Sequence, residues 1–357
     1  MSKFIVAILF ILLAAVGIEA FRFLAAGPGQ ESEAIVFEVP PGKPFQYIAS
    51  QLQQRGLVSS AFKVRILARL TRQAGRVKMG EYALHRGMSP QQILSVLVSG
   101  KSIQYPVTFP EGANSFEMAA ILEKHGIYKG AEFLAAVHDR VLIKQLLGVE
   151  VSSLEGYLYP ETYNVTRFTP LKDFIGGMVQ NFKSAYADVE NTSKAKGSAP
   201  SLPRHELVIL ASMVEKETGA AEERPLIASV FYNRIKKGMK LQSDPTTIYG
   251  IWVETGTYRK NITKEDLLRP TRYNTYTELK LPFGPIANPG ALALAAVLSP
   301  AQSEYLYFVS HNDGTHAFSR TYEEHLKAVK SFQLNPAARE GKSWRDLSGK
   351  DKAPTHP

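Results

Sequence analysis

Fifteen consecutive uncharged residues, Phe4 to Ile18, open this chain, drawn mostly from Ile, Leu, Val, Ala and Phe. No small soluble core absorbs such a run at its very start, so the segment is read as a membrane signal. A spanning helix needs about 20 apolar residues. Phe21, Phe23 and Leu24 supply the remainder if Glu19 and Arg22 sit at the interface. The competing reading is a cleaved signal peptide, for which Ala25 and Ala26 before Gly27 make a poor small-residue cleavage site. An uncleaved anchor is therefore expected. With Lys3 and the amino group as the only positive charges before the run, the bulk of the chain is expected outside the cytoplasm.

Beyond the anchor, Gly27 to Glu33 reads as a flexible linker. Ile35, Phe37 and Val39 alternate as a short strand that Pro40-Pro41-Gly42 ends. Phe45, Ile48, Ala49 and Leu52 share one helical face, a second helix is expected from Ala61 to Leu70, and Gly80 to Leu84 reads as a strand. Ser89 and Pro90 have the pattern of an N-cap followed by proline at the first helical position, and Gly100 ends the helix they open. These elements make a small α/β module.

A larger region follows from Ile103, where a strand precedes Glu111-Gly112 and helical patterns cover Phe116 to Glu123 and Ala131 to Leu147. The Ser, Lys, Gly and Pro-rich stretch from Asp188 to Arg204 reads as an exposed loop. A strongly apolar helix then starts near Pro203 and ends in Glu215-Lys216-Glu217-Thr218. Residues 339–357 are polar and expected to be disordered.

Several chemistries are excluded at this level. The chain has no cysteine, which rules out disulfides, thiolate catalysis and Cys-based zinc sites together. The histidines form no His-Glu-x-x-His arrangement, and neither a Gly-x-Ser-x-Gly elbow nor a phosphate-binding glycine loop occurs, so no metal and no cofactor is expected. A net charge of +9 suits an anionic polymer or an acidic membrane surface. Without a zinc-finger spacing or a Lys/Arg run with interleaved aromatics, nucleic acid is not an expected partner.

The helix ending at Glu217 carries the sharpest chemical signal. At 100° per residue Glu217 lines up with Leu210, Met213 and Val214, whereas Glu215 falls nearer Val208, Ala211 and Ser212. A carboxyl held against apolar groups has its charged form destabilised, which suits it to give up a proton near neutral pH. The plain alternative is a solvated helix end. Ordinary glycosidases use two carboxylates. Glu223, Asp244 and Glu161 are the partners the sequence offers. Gln242 to Thr247 and Arg272 to Tyr276 are loop-like segments mixing aromatic and amide groups, a composition that covers sugar rings and satisfies their hydroxyls, though it also suits plain turns. Leu281 to Gly290, with three prolines and two glycines, forms a rigid loop that shapes a groove wall or joins two elements.

These segments resemble the endolytic murein transglycosylase family, also called YceG-like. The resemblance rests on Leu154 to Tyr163 (LEGYLYPETY), Leu210 to Thr218 (LASMVEKET), Ala228 to Arg234 (ASVFYNR), Leu241 to Thr246 (LQSDPT), Tyr273 to Tyr276 (YNTY) and Ile286 to Gly290 (IANPG), in the family's order. Phe283 stands where the family pattern has proline. The resemblance implies an α+β protein: a transmembrane anchor and linker (1–30), a LysM-like module (31–102), a catalytic domain (103–338) and a polar tail (339–357). It implies a lyase that cuts the bond between N-acetylmuramic acid and N-acetylglucosamine without water, leaving 1,6-anhydro ends and terminating nascent strands. Glu217 matches the family's catalytic glutamate, and Glu223, Arg224, Gln242, Asp244, Tyr273, Asn274, Tyr276 and Asn288 are groove candidates. The implied partners are peptidoglycan glycan strands, the cytoplasmic (inner) membrane through the single-pass N-terminal helix, with the catalytic domain facing the periplasm, and the glycan-polymerising synthases. Two other readings stay open: a hydrolase of the same bond, and a non-catalytic peptidoglycan-binding scaffold.

Overall fold

Helix α1 runs from Ser2 to Ala25 without a break in a computed structural model that describes residues 2–30, 33–197 and 202–334. At 1.5 Å per residue its 24 residues extend about 36 Å, longer than a hydrocarbon core. The stretch Phe4–Ala25 has a mean hydropathy of 2.8, and its most apolar 18-residue window is not buried against protein. It is long and apolar enough to cross a membrane. The polar tail expected over 339–357 lies outside the described residues.

The described residues fall into two compact units, one made of residues up to 106 with 163–170, the other of 107–162 with 171–334. In the first, β1 (Ile35–Val39) pairs antiparallel with β2 (Gly80–Leu84), placing Phe37 opposite Tyr82. Phe37, Val39, Tyr82 and Leu84 point to one side and are buried. Helices α2 (Phe45–Gln54), α3 (Ala61–Leu70) and α4 (Pro90–Ser99) close that side with Ile48, Leu52, Val64, Ile93, Leu94 and Leu97. The period-2 and period-3.6 patterns meet in one core. Ser89 and Gln92 form a complete capping box, and Gly100 adopts the left-handed conformation that stops α4.

The segment expected to be a free linker is in part docked. Gly29 N–H donates to Arg86 O at 3.2 Å, and a Cβ on Gly27 would collide with the Arg86 and Met88 carbonyls. Phe23, at the end of α1, belongs to the module's core. Close backbone approach, not flexibility, is what these glycines supply.

Strand β3 (Tyr105–Thr108), whose last two residues open the second unit, leads into α5 (Ser115–Lys124), α6 (Gly130–Val137) and α7 (Arg140–Leu147). The pattern read as one helical stretch over 131–147 breaks at Asp139, whose carboxylate caps α7 by accepting from the N–H groups of Val141 and Leu142. Strand β4 (Thr162–Val165), of which only Thr162 belongs to this unit, pairs with β3. Helix α8 (Leu171–Ala195) then covers the first half of the stretch expected as a loop from Asp188. Its last turns are held by buried Ser193 and by a Glu190–Lys194 ion pair at helical spacing, features that a polar composition hides.

Helix α9 (Arg204–Glu217) lies at the centre, packed by α13 (Ala291–Leu298), by α10 (Arg224–Lys236) and by α11 (Asp244–Thr255); the short α12 (Lys264–Leu268) follows α11 in sequence. Every residue of α9 from Leu207 to Val214 is buried. A helix apolar on all sides belongs inside a domain. The hairpin β5 (Tyr307–Ser310) and β6 (His316–Ser319), followed by α14 (Tyr322–Val329), completes the unit.

Candidate active site

The polar end of α9 follows directly from eight buried residues, so its side chains emerge from the interior. Glu217 is the last helical residue, and Thr218 turns extended behind it. Glu217 itself is half-buried. Its Oε1 accepts a hydrogen bond from the Ser243 hydroxyl at 2.5 Å, and among the described residues no donor reaches Oε2. Burial pushes the carboxyl up to about 7 from its ordinary 4.5. The Ser243 donor and the Arg234 charge pull the other way, while the Asp244 carboxylate adds to the rise.

The neighbours are themselves fixed. Arg234 is buried, with Nε donating to Leu306 O at 2.6 Å and Nη1 to Leu241 O at 2.8 Å. Its cation is thereby held in place by carbonyl groups rather than by a carboxylate. Asp244 is exposed and accepts from the Tyr276 hydroxyl at 2.6 Å, and burial together with that carboxylate raises the phenol well above its usual range.

Glu215, two residues from Glu217, has the opposite character. One oxygen accepts from Arg224 at 3.2 Å and the other from Gly290 N–H at 2.9 Å, with both side chains nearly sealed. Because α9 is buried all round, the apolar-face argument from sequence does not separate the two glutamates. Their hydrogen bonds do. Both oxygens of Glu215 have partners and pin α9 to the starts of α10 and α13, whereas Glu217 has one donor and one open oxygen.

The structure gathers Glu217, Gln242, Asp244 and Tyr276 around the start of α11. The segment Gln242 to Thr247, expected as a loop, is a helix start from Asp244 onward, with Ser243 at the N-cap and Pro245 in the first turn. Gln242 is exposed and sits at φ +48°, a conformation uncommon for a residue with a Cβ. The other candidates are placed differently. Asn274 is fully buried and holds Thr247, Tyr276 N and the carbonyls of Leu267 and Arg269. Tyr273 is wedged edge-on between Tyr249 and Phe283. Arg224 is buried and donates through Nη2 to Glu215, and Glu223 grips His316 through its N–H and Nδ1 at 2.9 and 2.7 Å.

Asn288 is fully buried in a hub. Its Oδ1 accepts from the N–H groups of Gly156 and Leu158, and its Nδ2 donates to Ala113 O and to Glu155. Glu155 is 1% exposed and receives, besides Asn288, the Ser115 N–H, the Ser115 hydroxyl and the Tyr249 hydroxyl. Gly156, at φ +85°, has no room for a Cβ against Pro285 and Val208. The proline-rich loop is thus an interior piece, with residues 284–290 all buried. Its prolines remove three N–H groups that would need partners there, and Ile286, Asn288 and Gly290 direct theirs to Ser212 Oγ, Ala113 O and Glu215.

Sequence reasoning missed Ser243, Arg234 and Glu155 as site-shaping residues. Ser243 had a readable signal, a serine directly before Asp-Pro. Glu155 finds its partners 40 to 133 residues away, and Arg234 reaches Leu306 across 72 residues, distances that no local pattern encodes.

The family model described as the YceG-like family matches residues 37–331. The chain is 32% identical over 309 residues to the endolytic murein transglycosylase of Bacillus subtilis (strain 168), covering 82% of this chain and 83% of that one. It is 31% identical over 322 residues to the endolytic murein transglycosylase of Streptococcus pneumoniae (strain D39), where it spans 82% of its own length but 57% of the relative's. Among solved structures, a yceG-like protein of Listeria monocytogenes superposes with a TM-score of 0.55 at 29% identity, covering 83% of this chain and 98% of that one.

Proposed function

The chain belongs to the YceG-like family, and from that premise we propose that it is a peptidoglycan lytic transglycosylase whose acid and base are one residue, Glu217. The observation that carries the reading is the half-buried carboxyl held up at about 7 with one oxygen left open. A carboxyl in that range is protonated in a large fraction of molecules near neutral pH and is also a competent base once ionised.

Protonated Glu217 gives its proton to the oxygen linking N-acetylmuramic acid to N-acetylglucosamine as the C1–O bond breaks. The resulting carboxylate takes the proton of the muramic acid C6 hydroxyl as O6 bonds to C1, closing a 1,6-anhydro ring. Water is not consumed, and Glu217 ends protonated as it began. The buried cation of Arg234 and the Asp244 carboxylate bracket the site and favour opposite protonation states of Glu217.

The finer parts of the reading follow from it. The N-terminal helix anchors the chain in the cytoplasmic membrane, Lys3 on the inner side and the remainder in the periplasm. Residues 31–102 act as a LysM-like module and 103–338 as the catalytic domain, cutting within nascent strands beside the synthases that polymerise them and thereby terminating elongation. Gln242, Asp244 and Tyr276 are the groove residues nearest the chemistry.

The test is mass spectrometry of products from uncross-linked glycan strands incubated with the chain and with its Glu217→Gln variant. Anhydro-ended internal fragments from the parent alone are expected. Reducing ends would make it a hydrolase, and intact strands from both would leave only a binding role.

A further inference from the structure

Ser243 occupies the N-cap position of α11, where a serine side chain ordinarily accepts from the backbone N–H two or three residues on. Here it makes no such bond. The Thr246 N–H goes to the Ser243 carbonyl instead, at 3.1 Å, and the hydroxyl turns away to donate to Glu217 Oε1. A capping residue that withholds its side chain from its own helix has another use for it.

The surrounding bonds hold it in that orientation. Ser243 N–H donates to Thr275 Oγ1 at 2.9 Å, Thr246 Oγ1 donates to Ser243 O at 2.6 Å, and the two threonine hydroxyls meet at 2.9 Å. Ser243, Thr246 and Thr275 are all buried. The residue before them, Gln242, carries the positive φ that swings the chain into this cage. Strain of this kind persists only where surrounding structure over-determines it.

We propose that Ser243 is the positioning residue of Glu217: its hydroxyl occupies Oε1 and so dedicates Oε2 to carrying the proton in both halves of the reaction. Oε2 has no protein donor among the described residues and is not among the sealed polar atoms, so it alone can face a bound glycosidic oxygen. One oxygen then delivers the proton to the leaving group and receives the one released by the C6 hydroxyl, without the carboxyl having to flip between steps. The assignment rests on the transglycosylase reading for its chemistry, and on the hydrogen bond alone for its geometry.

The experiment compares the full-length chain in detergent with Ser243→Ala and Ser243→Thr, measuring kcat and KM on uncross-linked strands across pH. In parallel, the Glu217 carboxyl is titrated by infrared difference against Glu217→Gln. Losing a donor to the carboxylate disfavours the charged form. Ser243→Ala is therefore expected to move the falling limb of the pH profile, and the infrared titration, upward by about one pH unit. It should lower kcat about tenfold with KM within about twofold. Ser243→Thr, which keeps the hydroxyl, should restore both. A Ser243→Ala profile and titration coinciding with the parent's overturns the proposal, as does a loss carried in KM. If the parent chain cuts nothing, the transglycosylase reading fails, and the infrared titration still decides whether Ser243 governs this carboxyl.

Discussion

Two carboxylates in the same unit, Glu155 and Glu217, are both raised by burial, yet they stand in opposite situations. Glu155 receives four donors from three residues and is shut from solvent, whereas Glu217 receives one and keeps an oxygen free. Removing a saturated buried carboxylate strands its donors, which costs stability. Removing an under-satisfied one strands little and costs chemistry. A raised carboxyl alone therefore does not mark a reactive group; unmet hydrogen-bonding capacity with an open approach does.

The contrast is exposed to experiment most severely by Glu217→Gln. Cleavage should fall by about a thousandfold or more, since general acid–base groups contribute roughly 10²–10⁴ and in the proposed mechanism one residue serves both steps; product counting at matched protein concentration reads it. Next in size, Glu155→Ala should leave the Ser115, Tyr249 and Asn288 donors unpaired and cost about 3–5 kcal/mol in urea unfolding. A cost below about 1 kcal/mol would erase the distinction between the two sites.

Glu217→Gln should also change stability, with a sign opposite to Glu155→Ala. The folded-state value near 7 lies above the ordinary 4.5, so the native state carries a penalty that is full above pH 7, shrinks as pH falls and is gone below about 4.5. The glutamine variant is expected to exceed the parent's stability by up to about 3 kcal/mol at pH 8 and to converge on it near pH 4.5. Parallel denaturation series at the two pH values decide this. The smallest effect concerns the parent's rate, which should decline as pH rises through about 7, approaching tenfold per pH unit. An initial-rate profile flat from pH 6 to 9 would detach Glu217's titration from the rate-limiting chemistry.

The sequence was most informative where structure is set by neighbours a few residues apart. Apolar spacing located β1, α2, α3, β2 and α4, and caps set the ends of α4, because Ser89 and Gly100 act within one helical turn. The same reasoning found the extent of α9. It erred where polar composition was read as an exposed loop, as over Asp188 to Ala195, and where the segment holding Asp244-Pro245 was read as loop-like although Asp-Pro equally begins a helix. Why Glu217 differs from Glu215 was not legible. That depends on Arg224, Gly290 and Ser243, which reach α9 from 9, 75 and 26 residues away.

Asn288 ties Ala113, Glu155, Gly156 and Leu158 together through bonds spanning 130 to 175 residues. In the language of folding order, this is a closure that waits. The segment from Ala113 to Leu158 can form its own helices early, but its buried donors and acceptors find their partners only after residue 288 has been synthesised and brought back across a long loop. Ser115 and Glu155 then settle together with the loop that also anchors Glu215 through Gly290. The end of α9 that carries Glu215 and Glu217 is consequently completed late, and a chain cut short of Asn288 would keep the Arg224 and Ser243 bonds to it but lose the one from Gly290.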